Sequence, residues 1–333
     1  MVDQVPSTPG PSRPLTRSYT YHSKTPTTKG PYILGVDEAG RGPVIGPLVY
    51  GVAYCPLSYK EDLEELGFAD SKTLTHEVRS ELLQTLQSDP DNLAWSVRVV
   101  SSPQAISSGM LRRPPTNLNR QSEEATILLI KEVLDKGIEL SEVYVDALGN
   151  TTTYQAYLSK QFPGISFTVT NKADSKFKIV GAASVAAKVT RDACVENWIF
   201  EETYEESKTR VQYEEATQVE PSSTKGKEIS EKTLDEEQKS DSRWSSEMGS
   251  GYPSDPKTQA WLKASIDPTF GFPKVVRFSW TTVKVLLEKS GHTVKWIDEG
   301  QAALVKAFET GKGPDRGRSL VAKDLKLFSV VDL

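Results

Sequence analysis

Cysteine and histidine are scarce in this 333-residue chain, which contains two of the first and three of the second. Two cysteines are too few for a disulfide framework or a cysteine-based zinc site, so we expect a reducing, intracellular environment. The histidines show no metal-site or triad spacing. No apolar run approaches the ~20 residues of a membrane span, and residues 1–30 lack the apolar core of a secretory signal. We therefore expect no membrane partner.

A net excess of basic residues is also missing, since the formal charge is −5. The acidity is local, however. Residues 201–250 contain 14 acidic and 7 basic side chains, a net of −7, whereas the rest of the chain has 31 acidic and 33 basic side chains, a net of +2. The remainder is thus compatible with a phosphate-binding face.

Composition divides the chain into three parts. Residues 1–30 are rich in proline, serine and threonine, which predicts a disordered tail. Residues 31–295 alternate strand-like and helix-like segments, which predicts an α/β domain with a mixed sheet. Within them, residues 203–248 are poor in aliphatic side chains and predict a flexible acidic insertion. Residues 296–333 are predicted to form a C-terminal helix and tail.

Periodicity predicts the elements of the domain. Short apolar runs predict five strands: YILGV, LVYGVAY, LAWSVRVV, SEVYVDA and ISFTVTN. Helical spacing predicts helices in THEVRSELLQTL, with Thr75 as N-cap, and in SEEATILLIKEVLDKG, which ends at Gly137. The small residues of GAASVAAKVTRDACVENWIF predict a helix packed very close to the sheet. Two further helices are predicted in PSDPKTQAWLKASI and FSWTTVKVLLEKSG.

Four acids stand at or just beyond the ends of predicted strands: Asp37, Glu38, Asp146 and Asp174. Ligands bind at the carboxyl ends of strands in open α/β sheets, so these acids are predicted to converge. Carboxylates suit Mg²⁺ or Mn²⁺, and two such ions can assist phosphodiester hydrolysis. Adjacent strand residues point to opposite faces, so Asp37 and Glu38 share a site only if the strand ends or twists there. For any single acid the alternative is a turn former or a helix cap.

Glycines and basic residues surround these acids. Gly40, Arg41 and Gly42 match neither a P-loop nor a dinucleotide fingerprint. Glycines let a polymer backbone approach closely, and Arg41 is suited to a phosphate; the alternative is a tight turn with a solvated arginine. Basic residues near the acids are expected either to contact phosphates or to be solvated: Lys72, Lys172, Lys176, Lys188 and Arg191. Tyr252, in GSGYPSDP, is a candidate for stacking on a sugar or base, or else for half-buried packing.

Five blocks together resemble the ribonuclease HII family: GVDEAGRGPVIGPLVYGV, ADSKTLT, VYVDALG, KADSKFKIVGAASVAAKVTRD and GSGYPSDPKTQAWL. More narrowly, they resemble its eukaryotic members, the catalytic A subunits of ribonuclease H2. The resemblance covers about residues 31–295, and DEAGRGP is a highly specific block. It implies an RNase H-like fold with a mixed five-stranded sheet flanked by helices and a helical C-terminal part.

The resemblance also implies an activity. Such enzymes use Mg²⁺ or Mn²⁺ to cleave the RNA strand of RNA/DNA hybrids and to nick 5′ of single ribonucleotides in duplex DNA, leaving 5′-phosphate ends. By motif position, the catalytic metal ligands are the four acids. The GRG residues would recognise the 2′-hydroxyl at the junction, and Tyr252 would stack on the next deoxyribose. Further substrate contacts are expected at Ser71, Lys72, Asn117, Lys172 and Arg191.

Partners and location follow from the same resemblance. It implies a heterotrimer with two non-catalytic subunits, docked on the helices beyond about residue 260, and nuclear residence with a role in DNA replication and ribonucleotide removal. Two alternatives remain open: an inactive nucleic-acid-binding scaffold of the same fold, and a different enzyme of the fold, such as a type 1 ribonuclease H or a recombinase. The four acids argue against the first, and the GRG and tyrosine motifs against the second.

Overall fold

The computed structural model describes residues 14–68, 75–147, 149–203 and 243–293. Its centre is a six-stranded mixed sheet in the order β1-β4-β3-β2-β5-β6. The strands are β1 (Tyr19–His22), β2 (Tyr32–Ala39), β3 (Leu48–Pro56), β4 (Ala94–Val100), β5 (Leu140–Asp146) and β6 (Ser166–Thr170). The five predicted strands are confirmed, and β2 and β3 are antiparallel neighbours as expected.

The sixth strand, β1, overturns part of one prediction. Residues 14–30 are not a disordered tail, because β1 pairs antiparallel with β4 at the edge of the sheet. Leu15 is buried, and the Tyr21 ring lies 5.1 Å from that of Trp95, centroid to centroid. The averaged composition of residues 1–30 hides this short aromatic stretch, whose side chains cover the edge of the core. Residues 1–13 lie outside the described residues.

Helices cover both faces of the sheet. They are α1 (Lys60–Glu65), α2 (His76–Ser88), α3 (Ser108–Leu111), α4 (Leu118–Asp135), α5 (Thr151–Gln161), α6 (Lys178–Glu196), α7 (Pro256–Ser265) and α8 (Thr281–Ser290). Thr75 caps α2 as predicted, since its side chain accepts a hydrogen bond from the Val78 N–H. Within the described residues, no helix is long and apolar enough to cross a membrane.

Helix α6 packs unusually close to the central strands, as its small residues predict. A Cβ built on Gly35 of β2 would lie 2.3 Å from the Ile179 carbonyl oxygen, and one on Gly51 of β3 would lie 2.5 Å from that of Ala183. Since no side chain fits at either position, the two glycines let the helix backbone rest on the sheet. This approach brings the middle of α6, with Ser184, to the carboxyl end of β2.

A smaller apolar cluster joins the loop after β2 to α7 and α8. Its members include Met248, which is buried, and Trp244, whose ring centroid lies 5.3 Å from that of Phe200. The predicted end of the acidic insertion at residue 248 is therefore wrong, because aromatic packing fixes the chain from residue 243 onward. Residues 204–242 and 294–333, with the predicted C-terminal helix, lie outside the described residues.

Candidate active site

Three of the acidic positions meet at one edge of the sheet. Strands β2, β5 and β6 are parallel neighbours, so their carboxyl ends lie side by side. Val36 pairs with Val145, which places Asp37 next to Asp146 at the strand ends. The Asp146 carboxylate accepts a hydrogen bond of 3.0 Å from the Ala173 N–H and so holds the turn that carries Asp174.

Asp37 is the most buried of these acids, with 4% of its surface exposed. Burial raises its pKa to about 7, and the neighbouring Asp146 carboxylate adds to that rise. Hydrogen bonds from the Ser184 hydroxyl and the Glu38 N–H, together with the Lys188 charge, act in the opposite direction. A cation would offset both the burial of the Asp37 carboxylate and its repulsion from the neighbouring Asp146 carboxylate, so this pair is suited to bind one.

Glu38 lies on the other face of the sheet. Strand β2 continues to Ala39, so its side chains keep alternating and the two adjacent acids diverge. Asp37 faces α6, whereas the Glu38 charge adds to the effect of burial in raising the pKa of Tyr50 and of Tyr154. An early end of the strand, one of the two conditions under which both acids would share a site, is therefore not met.

The four acids fit a divalent metal by chemistry more clearly than by spacing. All are oxygen donors of the kind that Mg²⁺ and Mn²⁺ prefer. In the described part of the chain, however, no three acidic, histidine or cysteine side chains form a group that could enclose a metal ion. Asp37, Asp146 and Asp174 each direct one carboxylate oxygen to a backbone N–H. Metal binding by all four acids stays a prediction.

The loop of residues 40–47, here termed the GRG loop, is held from behind by residues 275–280. Arg277 and Trp280 donate side-chain hydrogen bonds of 2.9–3.3 Å to four of its carbonyls, those of Arg41, Gly42, Pro43 and Gly46. Backbone bonds add to these, from the Arg277 N–H to Val44 and from the Gly46 N–H to Val275. The carbonyls are thus turned inward and fixed.

Arg277 is the functional residue that sequence reasoning missed. Its side chain is fully buried, and its guanidinium carbon lies 5.0 Å from the centroid of the Trp280 ring. Burial, followed by the nearby charge of Arg191, lowers the pKa of Arg277 to about 9. The available signal was an arginine inside the apolar stretch FPKVVRFSW, a place where a charge needs a structural reason.

Arg191, a predicted substrate contact, is buried between two loops and not exposed at the surface. Its guanidinium donates to the Ser250 carbonyl at 2.7 Å and to the Asp192 carboxylate at 3.2 Å. A Cβ built on Gly40 would lie 3.3 Å from its Cγ, so the side chain lies directly behind the GRG loop. It joins this loop to the turn that carries Tyr252.

Tyr252 stands beside the GRG loop, as the family motifs require. Its ring is 47% exposed, and its Cε1 lies 3.4 Å from where a Cβ on Gly42 would be. The Val44 N–H donates to the Gly251 carbonyl, and Asp255 holds the turn by accepting from the Ser250 N–H. The predicted recognition elements are therefore adjacent and joined by direct hydrogen bonds.

The remaining predicted contacts have separate environments. Arg41 donates to the Ser122 hydroxyl at 2.8 Å and to the Asn119 side chain, both in α4. Asn117 caps α4 by accepting from the Arg120 N–H. Lys172 is exposed and has a left-handed backbone, with φ of 54°. Two more predicted contacts lie outside the described residues, Ser71 and Lys72.

The family is decided by comparison with known proteins. The family model described as Ribonuclease HII matches residues 34–210 and 214–283 of the chain. The chain belongs to the ribonuclease HII family. It is therefore a hydrolase, a type 2 ribonuclease H.

Individual relatives agree with this family assignment. The A subunit of ribonuclease H2 from Rattus norvegicus is 43% identical over 288 residues, covering 86% of this chain and 81% of the relative. The protein of the same name from Schizosaccharomyces pombe is 41% identical, covering 95% and 87%. Among solved structures, ribonuclease H2 from Pyrococcus horikoshii OT3 superposes with a TM-score of 0.53 at 31% identity, covering 78% of this chain and 98% of the other. The RNase H-like fold is confirmed, with one strand more than the five predicted.

Proposed function

We propose that this ribonuclease HII is a divalent-metal-dependent endonuclease for RNA in RNA/DNA hybrids, and that it nicks 5′ of single ribonucleotides in duplex DNA. The observation that carries the proposal is the buried Asp37, beside Asp146 and directly before a rigid GRG loop. A site for hydrolysis and a site for recognition thus follow each other within six residues of chain, Asp37 to Gly42.

The metal ligands in this proposal are the aspartates at the sheet edge. A bound Mg²⁺ or Mn²⁺ would supply a polarised phosphate and an activated water. Asp37 and Asp146 would hold the ion, and the Ser184 hydrogen bond and the Lys188 charge favour the charged form of the Asp37 carboxylate against the effect of burial. Asp174 lies on the turn after β6. Glu38 reaches the same ion only if its side chain passes around the carboxyl end of β2.

Recognition of the ribonucleotide is assigned to the GRG loop and Tyr252. The loop carbonyls are fixed inward by Arg277 and Trp280, so the backbone can approach the ribose with its N–H side. The Tyr252 ring, half exposed above Gly42, is placed to stack on the neighbouring sugar. A 2′-hydroxyl is the group that distinguishes the two kinds of nucleotide at such a junction.

We further propose that the chain works in a heterotrimer with two non-catalytic subunits and resides in the nucleus, in ribonucleotide removal and DNA replication. The relatives carry the word subunit in their names. Helices α7 and α8 and residues 296–333 are the proposed docking region. Coexpression with candidate subunits followed by size-exclusion chromatography tests the assembly, and monomeric elution would contradict it.

The activity is tested with three labelled duplexes incubated with the full chain, with and without its partner subunits, in Mg²⁺ or Mn²⁺. The duplexes are an RNA/DNA hybrid, a DNA carrying one ribonucleotide, and an all-DNA control. We expect cutting of the first two, a nick 5′ of the single ribonucleotide, and no cutting of the third. Cutting of the hybrid alone would favour a type 1 activity, and no cutting at all would favour the scaffold.

A further inference from the structure

The end of α3 and the two residues after it carry an exposed group of apolar and basic side chains, residues 110–113, here termed the 110–113 patch. Leu111 is 70% exposed and Met110 38% exposed, among the most exposed large apolar side chains of the described residues. Arg112 and Arg113 follow directly and are both exposed. Neither arginine has an ion-pair partner within the described part of the chain. Exposed apolar surface and exposed positive charge thus occur together.

Hydrogen bonds around Gly109 fix the backbone next to this patch, so its side chains stay exposed in the folded protein. The Gly109 carbonyl accepts from the Thr116 N–H at 2.8 Å and from the Arg112 N–H at 3.4 Å. The Gln121 amide donates to the Thr116 carbonyl at 3.0 Å. A Cβ on Gly109 would lie 2.5 Å from the Gln121 side-chain nitrogen and 3.1 Å from the Thr116 carbonyl oxygen, so a larger residue here would displace the Gln121 amide. The four side chains are presented on a fixed turn.

The patch adjoins the recognition elements through the start of α4. Arg41, from the GRG loop, donates to Ser122 at 2.8 Å and to Asn119. Both partners lie in the first two turns of α4, which begins six residues after Arg112. A duplex that lies on the GRG loop and Tyr252 would therefore reach the patch if its axis ran along the start of α4.

We propose that the 110–113 patch is a second contact surface for the nucleic-acid duplex, with Arg112 and Arg113 on phosphates and Leu111 against the sugars. This inference rests on the proposed function. Two adjacent exposed guanidinium groups favour a polyanion, and arginine is well matched to phosphate. The exposed Leu111 beside them suits the apolar edge of a sugar, whereas a protein interface would be expected to surround it with more apolar side chains than Met110 alone.

The test measures binding of the full chain to a labelled duplex containing one ribonucleotide, in EDTA, at several salt concentrations. The slope of log K against log salt is negative, and each lost phosphate contact reduces its magnitude by ~0.9. We expect the double substitution R112Q/R113Q to reduce the magnitude of the slope by up to ~1.8. Arg120→Gln is the matched control, because Arg120 is exposed but paired with Glu123 and Glu124, and its slope should match the wild type.

The apolar contact has a different signature. Leu111→Ser should weaken binding about fivefold to tenfold without changing the salt slope, because it releases no counterions. Val78→Ser, on the exposed side of α2, is the matched control and should bind like the wild type.

Wild-type affinity and slope in the Arg112, Arg113 and Leu111 variants would overturn the patch while leaving the proposed function intact. Normal duplex binding combined with lost assembly with partner subunits would also overturn it, since the patch would then be a protein interface. A wild-type chain that binds no duplex would overturn both proposals.

Discussion

Replacing Arg277 by lysine tests whether the GRG loop is held from behind. Arginine spans three loop carbonyls from one buried position, with donor–acceptor distances of 2.9, 2.9 and 3.3 Å. Lysine keeps the charge but has one nitrogen, so we expect it to leave about two of these carbonyls without a donor. It also loses the flat contact with the Trp280 ring.

The expected loss follows from these contacts. A buried acceptor without a donor costs ~1–3 kcal/mol, so with two such carbonyls Arg277→Lys should lower the free energy of unfolding by about 2–6 kcal/mol. The loop would also shift relative to Tyr252. A displacement of about 1 Å in a positioning group can lower the rate ~100-fold, so we expect kcat/KM on the single-ribonucleotide duplex to fall at least about tenfold.

Urea unfolding and initial-rate cleavage are the two assays for this variant. Arg243→Lys is the control, because Arg243 is largely exposed and pairs with Asp267 at the surface. Its stability should remain within ~0.5 kcal/mol of the wild type. If Arg277→Lys behaves like this control in both assays, the inference that Arg277 positions the GRG loop is refuted.

Three further predictions concern packing, pH and the loop. Gly51→Ala should lower the free energy of unfolding by ~1–3 kcal/mol, because its Cβ would lie 2.5 Å from a carbonyl of α6; wild-type urea unfolding would contradict the close packing. The folded pKa of Asp37, about 7, lies above its ordinary value of 3.8, so its contribution to stability is full below pH ~4 and is lost as pH rises through 7. Asp37→Asn removes this pH-dependent loss. In EDTA, the unfolding free energy of the variant minus that of the wild type should therefore increase by up to ~4 kcal/mol from pH 4 to pH 7. A difference that stays constant with pH would contradict the raised pKa of Asp37. Gly42→Ala should fold normally yet cleave the single-ribonucleotide duplex more slowly. Gly40→Ala should in addition be destabilised, because Gly40 has a φ of 84° and its Cβ would lie 2.6 Å from a backbone oxygen. Equal unfolding free energies for the two variants would contradict this difference.

The strands and the edge where the acids meet were predictable because they depend on local signals. Apolar runs of strand length define β2, β5 and β6, and parallel neighbours place Asp37 and Asp146 at one edge. The small residues of α6 predicted its close packing. The aromatic stretch of β1 was missed, because its pairing with β4 joins residues about 80 positions apart and the local composition suggests a tail.

The interior of the recognition site was beyond local reasoning. Arg277 bonds carbonyls more than 230 positions earlier in the chain, and no pattern near it indicates that partner. Arg191 resembles a surface phosphate contact in sequence, yet it is buried between the GRG loop and the turn that carries Tyr252. The direction of Glu38 depended on where β2 ends, and a strand end is uncertain by several residues from sequence alone.

The central claim is that Asp37 belongs to the site where RNA is cut. The most direct measurement is the cleavage rate on duplex DNA with one ribonucleotide, for the wild type, Asp37→Asn and the exposed control Asp135→Asn, all shown to be folded and assembled with their partner subunits. We expect a nick 5′ of the ribonucleotide from the wild type and the control, and a rate at least about 100-fold lower from Asp37→Asn. Equal rates from all three proteins would contradict the account.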